Sequence, residues 1–158
     1  MNNLNNSLIS QKKIKIAYIN TPITFGGSEK VSLNFLKAVD RNRFDITPIL
    51  LLRPWEEPPY FACEISKLGY KYLTLPVSLK KGGDPLRVPR VASHLFKQLR
   101  LGKFDLVHTH GYFADICTIP SARLLGIKTI ATCHGFISNN DRLKLYNKLD
   151  IYAIKASH

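Results

Sequence analysis

Five short apolar runs, at residues 14–20, 45–52, 70–75, 105–109 and 127–132, alternate along this chain with segments whose apolar residues recur at helical spacing. Strands separated by helices cannot pair as tight hairpins, so each must return across the sheet in the same direction. The pattern predicts an α/β fold, a Rossmann-like doubly wound parallel sheet flanked by helices. The helical segments are 28–39, 59–68, 85–101, 113–125 and 141–153. Val31, Leu33, Phe35, Leu36 and Val39 give the first its apolar side, and Gly69, Gly102 and Gly126 close the second, third and fourth. Pro48 removes one ladder donor from the second strand, whereas Pro89 falls in the first turns of the third helix, where proline is tolerated.

Ligands of such sheets collect beyond the C-terminal ends of the strands, and three motifs stand there. Phe25-Gly26-Gly27-Ser28-Glu29-Lys30 joins the first strand to the first helix. Glycine lets the backbone come close to a ligand, and the free N–H groups and positive end of a helix favour phosphate or carboxylate. That assigns Gly26, Gly27 and Ser28 to anion binding; a plain helix start with Ser28 as N-cap is the alternative. His108-Thr109-His110-Gly111 ends the fourth strand, and Cys133-His134-Gly135 follows the fifth. A single imidazole at a strand end commonly just bonds backbone groups, but three at one rim point to a site. Strand alternation puts His108 and His110 on the same side, with His110 nearer the rim and His108 packed. His134 is placed to donate to an anion or to polarise a sugar hydroxyl. Asp115, one turn into the fourth helix, reads as a solvated acid favoured by the helix dipole.

The length of 158 residues and 45% hydrophobic content suit one domain, over 14–158, with residues 1–13 as a disordered polar tail. No apolar run reaches the roughly 18 residues that span a bilayer, and no secretory leader is evident, so a cytoplasmic location is expected. Cys63, Cys117 and Cys133 read as reduced core thiols. No Asp, Glu or Cys is spaced to complete a zinc site with the histidines, so no metal is expected. The excess of 23 Lys and Arg over 11 Asp and Glu, a formal +12, calls for an anionic partner. Seven of those cations lie between Ser78 and Lys103, against the single acid Asp84. In the third helix, Leu86, Val91, Leu95, Phe96 and Leu99 make an apolar stripe that Arg87, Arg90, Lys97 and Arg100 largely avoid. Those cations read either as a solvated outer face or, with Lys80 and Lys81 in the preceding loop, as an anionic membrane-surface contact. A nucleic-acid module is a rival explanation of the charge. No strand, helix-turn-helix or zinc signature supports it, so only weak, salt-sensitive, non-specific binding is expected.

The three motifs, in this order and on a matching strand–helix pattern, resemble the N-terminal half of glycosyltransferase family 4 enzymes, which have the two-domain GT-B architecture. The resemblance implies that the Gly26-Gly27 turn, with Ser28, approaches the diphosphate of a nucleotide-sugar donor. It places His134 near the reaction centre, on a hydroxyl of the transferred sugar, and His110 and Tyr112 on the side of a glycan or lipid-linked acceptor. It also implies retention of anomeric configuration, no metal and no other cofactor. Some members carry a cationic amphipathic helix in the matching region, which would bring Lys80, Lys81, Arg87, Arg90, Lys97 and Arg100 to the inner face of the membrane. The family's second domain, with most of the nucleotide site, has no counterpart within these residues. The expectation is therefore an incomplete half, inactive alone, unless a C-terminal half is supplied, for instance by a separate partner chain. A non-catalytic binding or regulatory module and a basic nucleic-acid-binding domain are the alternatives. Loops 53–59 and 76–84 are expected to shape acceptor choice.

Overall fold

The computed structural model describes residues 12–79, 84–135 and 141–155. β1 (Ile14–Asn20), β2 (Phe44–Leu52), β3 (Leu73–Pro76), β4 (Leu106–His110) and β5 (Lys128–Thr132) form one sheet in the order β3-β2-β1-β4-β5. Every ladder in it is parallel. Between and after the strands run α1 (Gly27–Ala38), α2 (Tyr60–Lys67), α3 (Arg87–Gly102), α4 (Tyr112–Leu124) and α5 (Asp141–Lys155). The chain winds outward from β1 to β3, then crosses back to lay β4 on the other side of β1. That reversal opens a crevice at the C-terminal ends of β1 and β4. The doubly wound parallel sheet expected from the sequence is the fold observed.

Side-chain alternation builds the two layers. In β1, Ala17 and Ile19 join Leu51, Leu95, Leu99 and Cys117 in one core, on the α3 and α4 side. Ile16 and Tyr18 join Leu33, Leu36, Phe61 and Ile65 in the other, on the α1 and α2 side. Ala17, Tyr18 and Ile19 have no exposure at all, as a central strand covered on both faces requires. Pro48 is accommodated because the β3 ladder starts only at Ile49, which leaves β2 one neighbour at the proline.

Boundaries move where helix caps take residues that the apolar pattern gave to strands. After α2, Gly69 at φ 80° donates to Ser66 O and Tyr70 N–H to Ile65 O. This is the paired bond set of a Schellman cap. Tyr70 is thereby fixed in the cap, its hydroxyl donating to Leu36 O at 2.8 Å, and β3 begins three residues later than expected. The same bonds follow α4, from Gly126 to Arg123 O and from Ile127 to Ala122 O, so β5 starts at Lys128. Gly102 does not close α3. It stays helical under the Phe104 ring, where an added Cβ would sit 2.1 Å from a ring carbon, and Lys103 takes the left-handed position instead.

Of the three cysteines, only Cys117 is in the core, where burial pushes its thiol up to about 12. Cys63 and Cys133 are exposed, a correction to the expectation of three core thiols. Cys63 lies off the buried face of α2 formed by Phe61, Ala62 and Ile65, and Cys133 lies beyond the last residue of β5. Among the described residues no helix is long and apolar enough to cross a membrane. Residues 1–11 of the expected tail, together with Lys80 and Lys81, lie outside the described residues.

Candidate functional site

The crevice at the β1–β4 switch is a cavity of about 560 Å³. Gly27 and Ser28 line it from the start of α1, Tyr112 from the start of α4, His110 from the end of β4, His134 from the loop after β5, and Asp150 from α5. The glycine turn and the imidazoles, separated by up to about a hundred residues in sequence, therefore share one opening, as parallel strands ending at one rim dictate.

The glycine turn differs in detail from its sequence reading. Gly26, not Ser28, is the N-cap of α1, and Ser28 lies in the first turn. Glu29 reaches back, so that one of its carboxylate oxygens accepts Gly26 N–H at 2.9 Å and Ser28 Oγ–H at 2.8 Å. This is the backward half of a capping box, in which the carboxylate satisfies an N–H that the helix leaves open. Two donors assigned to a ligand are thus held by the chain's own acid. Gly27 has open space where a side chain would stand, so the backbone is accessible there.

The imidazoles form a graded series. His108 packs half-buried, with Nε2 2.8 Å from Thr132 Oγ1 and its ring edge-on to Tyr18 and Phe35. His110 is 6% exposed, and its Nδ1 lies 3.2 Å from Ser32 Oγ and 3.1 Å from His134 Nε2. His134 is exposed at the mouth, its ring edge to edge with that of His110, with centroids 5.4 Å apart and planes 25° apart. Burial lowers the proton affinity of His108 to a pKa of about 4. Burial, followed by the charges of His108 and His134, lowers His110 to about 3. Both are therefore neutral at physiological pH and act through hydrogen bonds. His110 backs the cleft more than it walls it, while Tyr112 is exposed at the rim with its ring 5.7 Å from that of Tyr146.

Gly111 makes this arrangement possible. At φ 82° and ψ 157° it occupies a region open essentially to glycine alone, which lets β4 turn at once into α4. That turn brings Tyr112 to the cleft.

Asp115 corrects the reading of a solvated first-turn acid: it has no exposure, and its carboxyl lies against Thr109 and Asp150. Helix α4 is buried on nearly all sides, between the sheet, α3 and α5, so no turn of it faces water near Asp115. Asp150 lies against it at 3% exposure, with one unpartnered oxygen. Burial raises the proton affinity of Asp115, and the Asp150 charge raises it further; burial also raises that of Asp150. Two adjacent buried carboxyls cannot both ionise cheaply, so the pair keeps a proton near neutrality. Sequence reasoning missed Asp150 altogether, because 35 residues and no local pattern separate it from Asp115.

The sign of the effect on stability follows. A carboxyl that binds its proton more tightly folded than unfolded stabilises the fold at low pH, and this is lost as pH rises toward the raised folded value. Asp115→Asn is expected to flatten that decline, gaining on the order of 1–2 kcal/mol over the parent near pH 8 and little near pH 5. Urea unfolding midpoints at the two pH values measure it. Equal slopes in parent and variant would remove Asp115 from the titration.

The expected cationic face is divided. Arg90 pairs with Asp84, which also accepts Ser78 Oγ–H at 3.0 Å. Arg87 lies over the rings of Phe113 and Tyr146, at 4.8 and 5.3 Å. Lys97 and Arg100 are exposed. Among the described residues, no group of three His, Cys, Asp or Glu side chains is placed to hold a metal ion.

Comparison with known proteins places this geometry. Residues 25–158 match the model of Glycosyltransferase Family 4. Over 153 residues the chain is 28% identical to the Escherichia coli UDP-Gal:alpha-D-GlcNAc-diphosphoundecaprenol alpha-1,3-galactosyltransferase, covering 94% of this chain and 38% of that protein. The chain thus spans less than half of the curated relative it matches. Among solved structures, the lipopolysaccharide outer core galactosyltransferase WaaB in its apo form superposes with a TM-score of 0.67 at 15% identity, over 91% of this chain and 38% of that one. HepE of Anabaena, solved with UDP and glucose, gives 0.66 at 13% identity, over 91% and 36%. The UDP-GlcNAc 2-epimerase of Methanocaldococcus jannaschii gives 0.63 at 15% identity, over 92% and 38%, so the fold alone does not name a reaction. The family match over most of the chain does name the lineage: this chain belongs to glycosyltransferase family 4 and has the fold of the N-terminal domain of its GT-B enzymes.

Proposed function

We propose that this chain is the acceptor-side half of a retaining glycosyltransferase that moves a sugar from a nucleotide-sugar donor to a glycan or lipid-linked acceptor. In that transfer, the bond from the anomeric carbon to the donor diphosphate breaks as a bond to the acceptor hydroxyl oxygen forms. The hydroxyl proton leaves with the diphosphate. The observation that carries this reading is the cleft onto which Gly27, at the start of α1, and His134 both open. The turn, with Ser28, takes diphosphate oxygens at the positive end of α1 once Glu29 yields its two donors. His134 bonds and orients a hydroxyl of the transferred sugar. Tyr112, backed by His110, borders the acceptor. The E. coli relative's name specifies a UDP-linked donor and an acceptor sugar on a polyprenyl diphosphate, which supports a lipid-linked acceptor here. A peripheral membrane contact, where it forms on α3, falls to Lys97 and Arg100, because Arg87 and Arg90 are engaged within the fold.

Transfer needs a preorganised clamp on the departing diphosphate, which the family resemblance assigns mostly to a second domain, while this chain covers 38% of the E. coli relative. The 158 residues alone are therefore expected to bind nucleotide sugars only with Kd on the order of 1 mM, about 4 kcal/mol, and to give no transfer. Titration with UDP-hexoses, followed by amide NMR, should shift Gly27 and His134 first. Shifts confined to residues away from the cleft would refute the site, and turnover by this chain alone would refute the half-site.

A further inference from the structure

Three elements meet at the Nδ1 atom of His110, and a fourth reaches it through Ser32. It receives Ser32 of α1 at 3.2 Å and His134 Nε2, from the loop after β5, at 3.1 Å. Ser32 Oγ in turn lies 3.2 Å from Asn20 Oδ1 at the end of β1, and donates to it. Ser32 is fully buried and Asn20 nearly so, which makes this an interior network rather than a surface contact. The opposite nitrogen of His110, Nε2, is buried with no hydrogen-bond partner among the described residues.

These distances constrain where the protons sit. A neutral imidazole carries one ring proton, and a buried N–H without an acceptor costs more than a bare lone pair left unpaired. The proton of His110 therefore belongs on Nδ1, where two acceptors wait, and not on the orphaned Nε2. Ser32 has one hydroxyl proton, already directed to Asn20, so its oxygen is free to accept from His110. His134 Nε2, on the other side of the same N–H, must then present a lone pair. Its own proton is left on Nδ1, on the far side of an exposed ring that lines the cleft.

We infer that His110, held by Ser32 and Asn20, is a positioning residue that fixes the tautomer of His134 and so turns an N–H donor, not an acceptor, toward the cleft. The ligand atom this donor takes is an oxygen lone pair, as on a sugar hydroxyl or a phosphate. The proton arrangement needs only this chain, whereas its use in sugar transfer rests on the function proposed above. Burial supports the arrangement, because it keeps His110 neutral across the physiological range. The sequence suggested a substrate-lining role for His110; the network gives it a specific task one layer behind His134.

The test requires no sugar and no activity. Long-range ¹H–¹⁵N correlation spectra of the ring nitrogens, on the 158-residue chain at neutral pH, distinguish the two tautomers of each histidine. His110 and His134 should each appear as the Nδ1–H form. Either one found as the Nε2–H form would overturn the inference. In His110→Phe, His134 should lose its fixed state and relax to a mixture of both tautomers. A His134 spectrum unchanged by that substitution would reduce His110 to packing and also overturn it. Should His110→Phe fail to fold, the parent spectrum decides alone. Failure of the enzyme reading leaves this result untouched, since no substrate enters the measurement.

Discussion

Replacing His134 by alanine, in this chain paired with a nucleotide-binding half as the proposed function requires, is expected to lower kcat roughly 10²–10³-fold while donor KM moves little. A hydrogen-bond donor aimed at the reacting sugar contributes most in the transition state, so kcat and kcat/KM fall together. His134 is exposed at the mouth of the cleft, and its loss opens no core cavity. The melting temperature should therefore stay within about 2 °C of the parent. Initial rates across a range of donor concentrations, paired with a thermal melt, measure both quantities. A folded variant with the parent's kcat would remove His134 from the reaction centre.

The second large effect concerns the scaffold. Leu95 is fully buried on the inner stripe of α3, within the core that also holds Val91, Leu99, Ile49 and Val107. Leu95→Ala should cost about 2–5 kcal/mol, because transfer energy is lost and rigid neighbours cannot close the cavity. For a chain of this size, each kcal/mol corresponds to roughly 2–4 °C in melting temperature. Lys97, two residues on and exposed, supplies the internal control: Lys97→Ala should stay within about 0.5 kcal/mol. If both substitutions cost the same, α3 does not pack on the sheet through this stripe.

Periodicity made the scaffold readable. Strands such as β1 and β4 are short apolar runs bounded by turn residues, and the helices between them leave only parallel return paths. Errors gathered where one residue served two elements. Tyr70 and Ile127 look like strand starts because they are apolar, yet each is the last residue of a helix cap. The glycine turn, His110 and His134 were readable as one rim because parallel topology alone gathers strand ends. What alternation could not supply was the partner of each buried polar group. Nothing local links Ser32 to His110, or Asp115 to Asp150, and a carboxylate in a first turn looks the same on paper whether water or a second helix covers it.

The Glu29 carboxylate on the Gly26 turn sets the terms on which any anion enters. It is an intramolecular rival tethered three residues away, and tethered groups compete at effective concentrations of order millimolar or higher. Under the proposed function, a nucleotide sugar gripped elsewhere along its length would displace the rival and meet donors already aligned by the group it replaces. The same side chain thus both guards the turn and keeps it in shape.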